Sequence, residues 1–405
     1  MSTLKVNKLR DTAGSTDAIT LDPNGGAVLA GVTTVSTVKV GSGVTISSDG
    51  DVFTTGITTS STVIVGSGVT ISESGIEASG IGVTVANING GQIGGRRNLI
   101  INGAMEIQQR ASGNYTTITS SYTQIDRYHV YANPASKLTY EPSTDSPTGF
   151  SNSFKITSTS AYTPTSGNYF YMGQRIEGHN WKHLEYGTSN AKTITISFWV
   201  KSSITGTWSG IVKNSSQDRT FPWEYTISSA DTWEKKSVTV IGCPDGTWAT
   251  DTNDSAWIYF CIGSSTSGTT YLGSANSWQN QNLIGTTGSN SLPNTNGATW
   301  YMTGFQVELG TQMTEFEYRP IDEELRLCQR YYWTIPTTIY GCAYGGASGF
   351  CHYSLPVEMR ATGTLTYTAI RTSTGFYNYS SDQILQVEMS STVPYINTPK
   401  IDAEI

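Results

Sequence analysis

A repeat of 25 residues runs through much of the first hundred positions and limits what this part of the chain can fold into. Residues 37–47 return almost unchanged as residues 62–72, and Gly25, Gly50 and Gly75 follow in the same register. Within each copy, β-branched apolar residues alternate with polar residues on both sides of a Gly-Ser-Gly sequence. Alternation with period two is typical of β-strands, and glycine clusters are typical of turns. The repeat therefore predicts short strands joined by tight turns.

A ribbon of such strands has one thin apolar face that it cannot bury against itself. Repeat units of this kind need neighbours, and about three units are few for a single-chain solenoid. Three chains wrapped together would cover the apolar faces and pair the free strand edges. We therefore predict a homotrimeric β shaft over residues 18–95. A disordered Gly/Ser linker is the alternative, and the regular placement of Val and Ile argues against it.

Composition and charge exclude several classes of function. Charged residues make up 14% of the chain, and its formal net charge is −7, so no basic surface for nucleic acid is expected. No stretch approaches the roughly 18 consecutive apolar residues that a membrane span needs. Charged residues interrupt positions 1–10, which lack the apolar core of a signal peptide. We expect neither nucleic-acid binding, nor membrane insertion, nor signal-directed secretion.

Residues 96–320 differ from the repeat, and a glycine-dense stretch at 89–95 marks the boundary between them. All ten Trp and every Tyr lie beyond position 100. Residues 194–200 and 301–309 alternate apolar with polar side chains, whereas 256–262 is apolar on both faces, as in a central strand. Many short strands separated by Gly, Ser and Asn predict an antiparallel jelly-roll β-sandwich.

Several stretches carry a resemblance to a known family. These are residues 1–7, the Val-Gly-Ser-Gly-Val-Thr-Ile repeat, 96–110 with 126–128, 196–201, 305–310, 316–320 and 324–332. Together they resemble tail fibre proteins of tailed phages that infect marine cyanobacteria, including a jelly-roll module similar in architecture to carbohydrate-binding jelly rolls. The resemblance implies a trimeric structural protein of the virion, which would fold in the host cytoplasm and leave by lysis. It does not identify a ligand.

The two ends of the chain have separate predicted roles. Residues 1–17 precede the repeat and carry Lys5, Lys8 and Arg10, so we expect them to dock to other virion proteins. At the other end, Leu325, Cys328 and Tyr332 are spaced as one apolar stripe of a helix over 323–333. We predict that residues 321–405 form this helix followed by a small β tip, where receptor contact is expected.

Aromatic side chains are the candidates for ligand binding, because their ring faces can stack on sugar rings. The candidates are Trp208, Trp223, Tyr225 and Trp248 in the sandwich and Tyr340, Tyr344 and Tyr377 in the tip. Packing in the hydrophobic core is the alternative explanation for each of them. Sugar binding is therefore a hypothesis for the domain and not for named residues.

Catalytic and metal-binding signals are weak, and we expect neither an enzyme nor a cofactor. His179 and His183 could bind zinc from a helix, but Asn180 replaces the Glu of a metalloprotease motif and the surrounding sequence is not helical in pattern. Structural calcium at 251–254 or 49–51 is the alternative to turn formation. The five Cys include no CxxC and suggest buried thiols, with one disulfide between Cys342 and Cys351 left open.

These observations favour a phage fibre that attaches to the host surface, with host polysaccharide as its ligand. A tailspike that cleaves polysaccharide is the first alternative, although the chain lacks the long β-helix and clustered acids that would indicate one. The second alternative is a fibre on the capsid or neck without a receptor role. The first alternative has the same location in the virion, whereas the second is distinguished by its position on the capsid or neck.

Overall fold

The chain divides into two compact units, Met1–Val83 and Thr84–Ile405, each of which is described by itself. A computed structural model describes part of each unit. The described residues are 8–10, 17–21, 27–29, 62–65, 69–72, 75–78, 96–110, 120–265, 271–334, 339–340, 349–361, 363–366, 369–371, 384–389, 395–397 and 400–404. The predicted domain limits at 17, 95 and 320 stay predictions.

The first unit contains two three-stranded antiparallel sheets. Their strands are β1 (Lys8–Arg10), β2 (Asp17–Leu21), β3 (Ala27–Leu29), β4 (Thr62–Val65), β5 (Val69–Ser72) and β6 (Gly75–Ala78). Val65 pairs with Val69 across the Gly-Ser-Gly sequence, as expected for two strands joined by a glycine turn. The strands predicted from the repeat are confirmed here, whereas the copy at 37–47 lies outside the described residues.

Two antiparallel sheets build a β-sandwich in the second unit. Its strands are β7 (Ser120–Tyr122), β8 (His129–Asn133), β9 (Leu138–Ser143), β10 (Ser153–Ser158), β11 (Tyr169–Glu177), β12 (Ile194–Ser202), β13 (Gly206–Asn214), β14 (Thr220–Ile227), β15 (Glu234–Val240), β16 (Asp254–Ser264), β17 (Leu272–Gly273), β18 (Gly285–Thr286) and β19 (Thr299–Leu309). One sheet has the order β15-β12-β19-β10-β9 and the other the order β14-β13-β16-β11-β8-β7, while β17 and β18 form a short parallel pair.

The hydrophobic core lies between the two sheets, where alternate residues of each strand point inward. Ile194, Ile196, Phe198 and Val200 of β12 are fully buried, as their predicted common face requires. Because β16 pairs with β11 on one side and β13 on the other, it is a central strand, and its apolar composition on both faces agrees with that position. The predicted antiparallel β-sandwich is confirmed.

Helices are few and short in the described part of the chain. They are α1 (Gly178–Trp181) with a 3₁₀ turn at Lys182–Leu184, a second 3₁₀ turn at Leu292–Asn294, and α2 (Ile321–Gln329). The helix predicted over 323–333 is therefore present but ends earlier. Tyr332 lies in a strand and pairs with Asp402, and this long-range pairing takes the last predicted residues out of the helix. The expectation that 179–183 is not helical is wrong.

Short antiparallel strands make up the described C-terminal residues, in agreement with the predicted β structure there. They are β20 (Tyr332–Thr334), β21 (Ile339–Tyr340), β22 (Gly349–Ser354), β23 (Thr364–Thr366), β24 (Ala369–Arg371), β25 (Ile384–Met389), β26 (Tyr395–Asn397) and β27 (Lys400–Asp402). β27 lies between β20 and β23. No helix in the described residues has the length and apolar character needed to cross a membrane.

Candidate functional site: an aromatic face of the six-stranded sheet

The outer face of the six-stranded sheet is unusually aromatic. In β11, Phe170, Met172 and Ile176 are buried in the core, so the alternate residues Tyr169, Tyr171 and Arg175 lie on the opposite face. The same alternation in β16 places Trp257 and Tyr259 on the outer face. We use the name aromatic face for the set of side chains that pack together on this side of the sheet. They are Tyr131, Tyr169, Tyr171, Arg175, Lys213, Trp257, Tyr259 and Tyr271.

Strand register brings the members of the aromatic face together. Trp257 pairs with Arg175 of β11 on one side and with Lys213 of β13 on the other. Tyr171 pairs with Tyr131 of β8. Directly opposite residues in an antiparallel pair share a face of the sheet, so four strands contribute side chains to one surface.

Ring contacts join these side chains into a layer with a partly open surface. The rings of Tyr131 and Tyr171 stack with centroids 4.7 Å apart, and Tyr169 meets Tyr271 edge to face at 5.6 Å. Tyr131, Tyr169 and Tyr271 are partly exposed, whereas Tyr171 and Trp257 keep only 7% of their surface accessible. The partly exposed tyrosines therefore rest on a buried aromatic layer that holds them in place.

Arg175 is held among aromatic rings on this face. Its guanidinium lies 4.2 Å from the centroid of the Trp257 ring, a cation–π contact, and its Nε donates to the Tyr259 hydroxyl at 3.4 Å. A further nitrogen donates to the Tyr131 hydroxyl, and Asp254 lies 3.7 Å away. These contacts fix a planar, charged donor beside the tyrosine rings.

Lys213 is the second cationic side chain of the aromatic face. Its Nζ donates to Asn282 at 2.9 Å and to Gln217 at 3.1 Å, and it lies 4.9 Å from the centroid of the Trp257 ring. Burial, together with the positive charge of Arg175, lowers the pKa of Lys213 to about 7. The ammonium group is thus close to its titration point at neutral pH.

This arrangement has the chemical properties of a carbohydrate-binding surface. Aromatic rings offer apolar faces to the C–H groups of a sugar ring, while tyrosine hydroxyls and a guanidinium can bond its hydroxyl groups. Neighbouring members on one sheet suit several sugar units of an extended chain better than a single small molecule. The aromatic face is therefore the candidate binding site.

The residues predicted from the sequence occupy other places. Trp208 and Trp223 are fully buried, and Tyr225 and Trp248 retain 6% and 8% exposure. All four belong to the core between the sheets, where for example Trp300 donates its indole N–H to the Tyr225 hydroxyl at 3.1 Å. The Tyr340 side chain, Tyr344 and Tyr377 lie outside the described residues. Ligand binding by these seven residues stays a prediction, and the core position of the first four does not favour it.

Sequence reasoning missed the aromatic face, although a signal for it exists. Tyr169 and Tyr171 are two residues apart, as are Trp257 and Tyr259. In a strand, that spacing places both rings of each pair on one face. The signal was hidden because β16 is apolar on both faces and was interpreted as an ordinary central strand.

The described residues contain no group of three or more His, Cys, Asp or Glu side chains placed to hold a metal ion. His179 and His183 are both exposed. At the proposed calcium loop, the Asp251 carboxylate accepts the Asn253 backbone N–H at 3.0 Å, a turn interaction. Cys243, Cys261 and Cys328 are buried free thiols. The second calcium candidate at 49–51 and the possible Cys342–Cys351 disulfide lie outside the described residues.

No protein family and no curated protein matches the chain. Among solved structures, it shows similarity to a tailspike protein of bacteriophage CBA120 at 16% identity and a TM-score of 0.28, over 52% of this chain and 21% of the tailspike chain. That structure is of the tailspike's enzymatically active domain, and the match spans about a fifth of its length.

Two smaller proteins show similarity over about half of this chain. A putative sugar binding protein from Bacteroides thetaiotaomicron is 13% identical with a TM-score of 0.30, over 53% of this chain and 100% of its own. A family 11 carbohydrate-binding module from Clostridium thermocellum, in complex with a mixed-linked tetrasaccharide, is 14% identical with a TM-score of 0.24. The match covers 51% of this chain and 100% of the module's chain. With TM-scores this far below 0.5, neither fold nor function is assigned to the chain from these structures.

Proposed function

We propose that this chain is a structural fibre protein of a phage virion and attaches it to the host by binding surface glycan. The aromatic face carries the glycan-binding part of the proposal. Partly exposed Tyr131 lies beside the charged donor Arg175, and contacts through Tyr171 connect its ring to those of the partly exposed Tyr169 and Tyr271. One surface therefore supplies both ring faces and hydrogen-bonding groups.

The rest of the chain supports a fibre. Strands in the 25-residue repeat form small antiparallel sheets, which need further partners to bury their apolar residues. A trimeric shaft would present three copies of the aromatic face. Several weak glycan contacts made together raise the overall affinity well above that of one contact. Trimer formation by the repeat would therefore strengthen glycan binding by the sandwich.

Binding of defined oligosaccharides tests the aromatic face. The full-length protein is screened on an array of bacterial surface oligosaccharides, and the best one is titrated by calorimetry. Tyr169→Ala and Tyr271→Ala should each weaken binding about tenfold, because each removes a ring face worth about 1 kcal/mol or more. The protein is also incubated with the same oligosaccharide, and the products are analysed for shorter oligosaccharides.

Tyr318→Ala is the matched control. Tyr318 is 58% exposed and does not belong to the aromatic face, so its loss should leave the affinity unchanged. If no array glycan binds, or if the two face variants bind as tightly as the wild type, the proposed site is wrong. Release of shorter oligosaccharides would instead make the chain a depolymerase.

A further inference from the structure

A pocket of about 280 Å³ lies between three separate segments of the second unit. Its polar lining includes Arg96, His179, Asn180, His183, Arg319 and Glu323, together with Asn98, and apolar side chains complete the wall. We call this the arginine pocket. It shares no residue with the aromatic face, so its role is independent of the function proposed above.

Arg319 is a fixed part of the arginine pocket. Its side chain is 4% exposed, and Nη1 donates to the Ile100 carbonyl at 3.0 Å and lies 3.3 Å from Glu324. Nη2 donates to the Asn98 carbonyl. These bonds connect the segment before the sandwich with the segment before α2, so the pocket wall is formed before any ligand arrives.

Arg96 provides the accessible charge of the pocket. Its side chain is 56% exposed and pairs with Glu323, which belongs to the first turn of α2. An ion pair this exposed contributes little free energy and exchanges readily for another partner. The guanidinium can therefore turn from Glu323 to an anionic ligand at small cost.

The lining groups are mainly hydrogen-bond donors. Two guanidinium groups line the pocket against one carboxylate, and the Asn180 amide and two imidazoles add further N–H groups. Guanidinium groups match the geometry of a carboxylate, which can accept two parallel hydrogen bonds from one of them. The volume is near the lower limit of about 300 Å³ for ligand sites, which suits a single sugar unit or a molecule of that size.

We infer that the arginine pocket binds a carboxylate-bearing sugar unit, with the carboxylate directed to Arg96. Such a unit occurs as a free sugar acid or as the end of an acidic polysaccharide. The shared chemistry is one carboxylate on a compact polyhydroxyl ring. The ring hydroxyls would meet Asn180 and the two histidines.

Titration of the full-length protein with glucuronate and with glucose tests this inference. The two sugars differ in the carboxylate, so glucuronate should bind at least tenfold more tightly than glucose. Arg96→Gln should weaken glucuronate binding about tenfold, since a charge-assisted pair is lost. Glu323→Gln should strengthen it about threefold, because it removes a competing carboxylate and frees Arg96. Raised salt should weaken it.

Arg219→Gln is the matched control. Arg219 forms a surface ion pair with Asp245 at 2.8 Å and does not line the pocket, so this variant should bind glucuronate as the wild type does. Equal affinity for glucose and glucuronate would overturn the inference. An unchanged affinity of Arg96→Gln would do the same. Circular dichroism and thermal melting establish that each variant is folded.

A uronic acid trisaccharide distinguishes the two sources of the ligand. Tighter binding of the trisaccharide than of glucuronate identifies the end of a polysaccharide, whereas equal or weaker binding identifies the free sugar acid. If trisaccharide binding depends on Tyr169 and not on Arg96, it occurs at the aromatic face, and the arginine pocket is not a uronate site. If only the aromatic-face proposal is wrong, Arg96→Gln should still weaken glucuronate binding.

Discussion

At the scale of single residues, burial of ionisable side chains sets how stability depends on pH. His129 is 5% exposed at the margin of the aromatic face, and its ring lies 4.2 Å from that of Tyr131 and 4.7 Å from that of Tyr122. Burial, aided by the positive charges of Arg175 and Arg110, lowers the pKa of His129 to about 3. The folded protein therefore keeps this imidazole neutral where the unfolded chain would protonate it.

Replacing His129 tests this linkage. The histidine in the unfolded chain has a pKa of about 6.5, so its contribution to stability is complete above that value and falls as the pH decreases toward 3. At pH 5 the loss is about 2 kcal/mol relative to pH 7.5. His129→Gln should remove this part of the pH dependence, as measured by urea unfolding at both pH values.

Two comparisons make the His129 prediction specific. Burial raises the pKa of Asp126 to about 7. The effect of Asp126 on the pH dependence of stability is opposite to that of His129, because its contribution to the free energy of unfolding is lost as the pH rises from about 4 to 7. The difference between variant and wild type isolates His129 from Asp126. His179→Gln, at an exposed position, should keep the wild-type slope. A wild-type slope in His129→Gln would disprove the assignment.

At the scale of elements, the last strand is anchored to the sandwich by buried charges. Glu404 lies two residues after β27. Its side chain is 3% exposed, forms an ion pair with Arg127 and lies 3.2 Å from Arg110. Arg127 is 1% exposed, and its guanidinium stacks 3.5 Å from the centroid of the Tyr331 ring. β27 pairs with both β20 and β23, so this anchor holds three strands.

Glu404→Gln should lower the free energy of unfolding by about 3 kcal/mol. Removing one partner leaves the buried arginines without their full compensating charge, which is far more costly than loss of a surface pair. Glu315→Gln is the control, because Glu315 is 94% exposed and pairs with Lys235 at 3.3 Å, so less than about 1 kcal/mol is expected. Chemical denaturation measures both. Equal effects of the two substitutions would show that the buried cluster does not stabilise the C-terminal strands.

At the scale of the whole molecule, the predicted trimer depends on the repeat. In the described hairpin, Ile71 pairs with Val63 on one side and with Ile76 on the other, so apolar residues occupy matching positions on three strands. A three-stranded sheet of this size needs packing against another element to be stable. Sister chains are the partners that we predict.

Sedimentation of the full-length protein tests the trimer. The expected mass is three times 43.7 kDa at micromolar concentration. Ile71→Asp should shift the protein toward monomer, because a charge would replace an apolar residue of the covered face. Thr70→Asp, at the adjacent polar position, should stay trimeric. A folded wild-type monomer at low concentration would rule out the shaft.

The sequence by itself determined the strand character of the repeat and of the sandwich, since period-two alternation and glycine turns are local signals. It predicted β12, β16 and β19 close to their observed limits, and it predicted a helix near position 325. Strand alternation, however, cannot tell which of two faces meets the second sheet. Trp223 and Trp257 are equally plausible as surface residues until that choice is made.

Only the tertiary structure decided where the candidate sites lie, because each depends on contacts between residues distant in the chain. The register of β8, β11, β13 and β16 brings Tyr131, Arg175 and Trp257 to one face. The arginine pocket joins residues near positions 96, 180 and 319. The pairing of Tyr332 with Asp402 likewise ends the helix early. Local propensity carries no information about such pairings, since they depend on the packing of the whole domain.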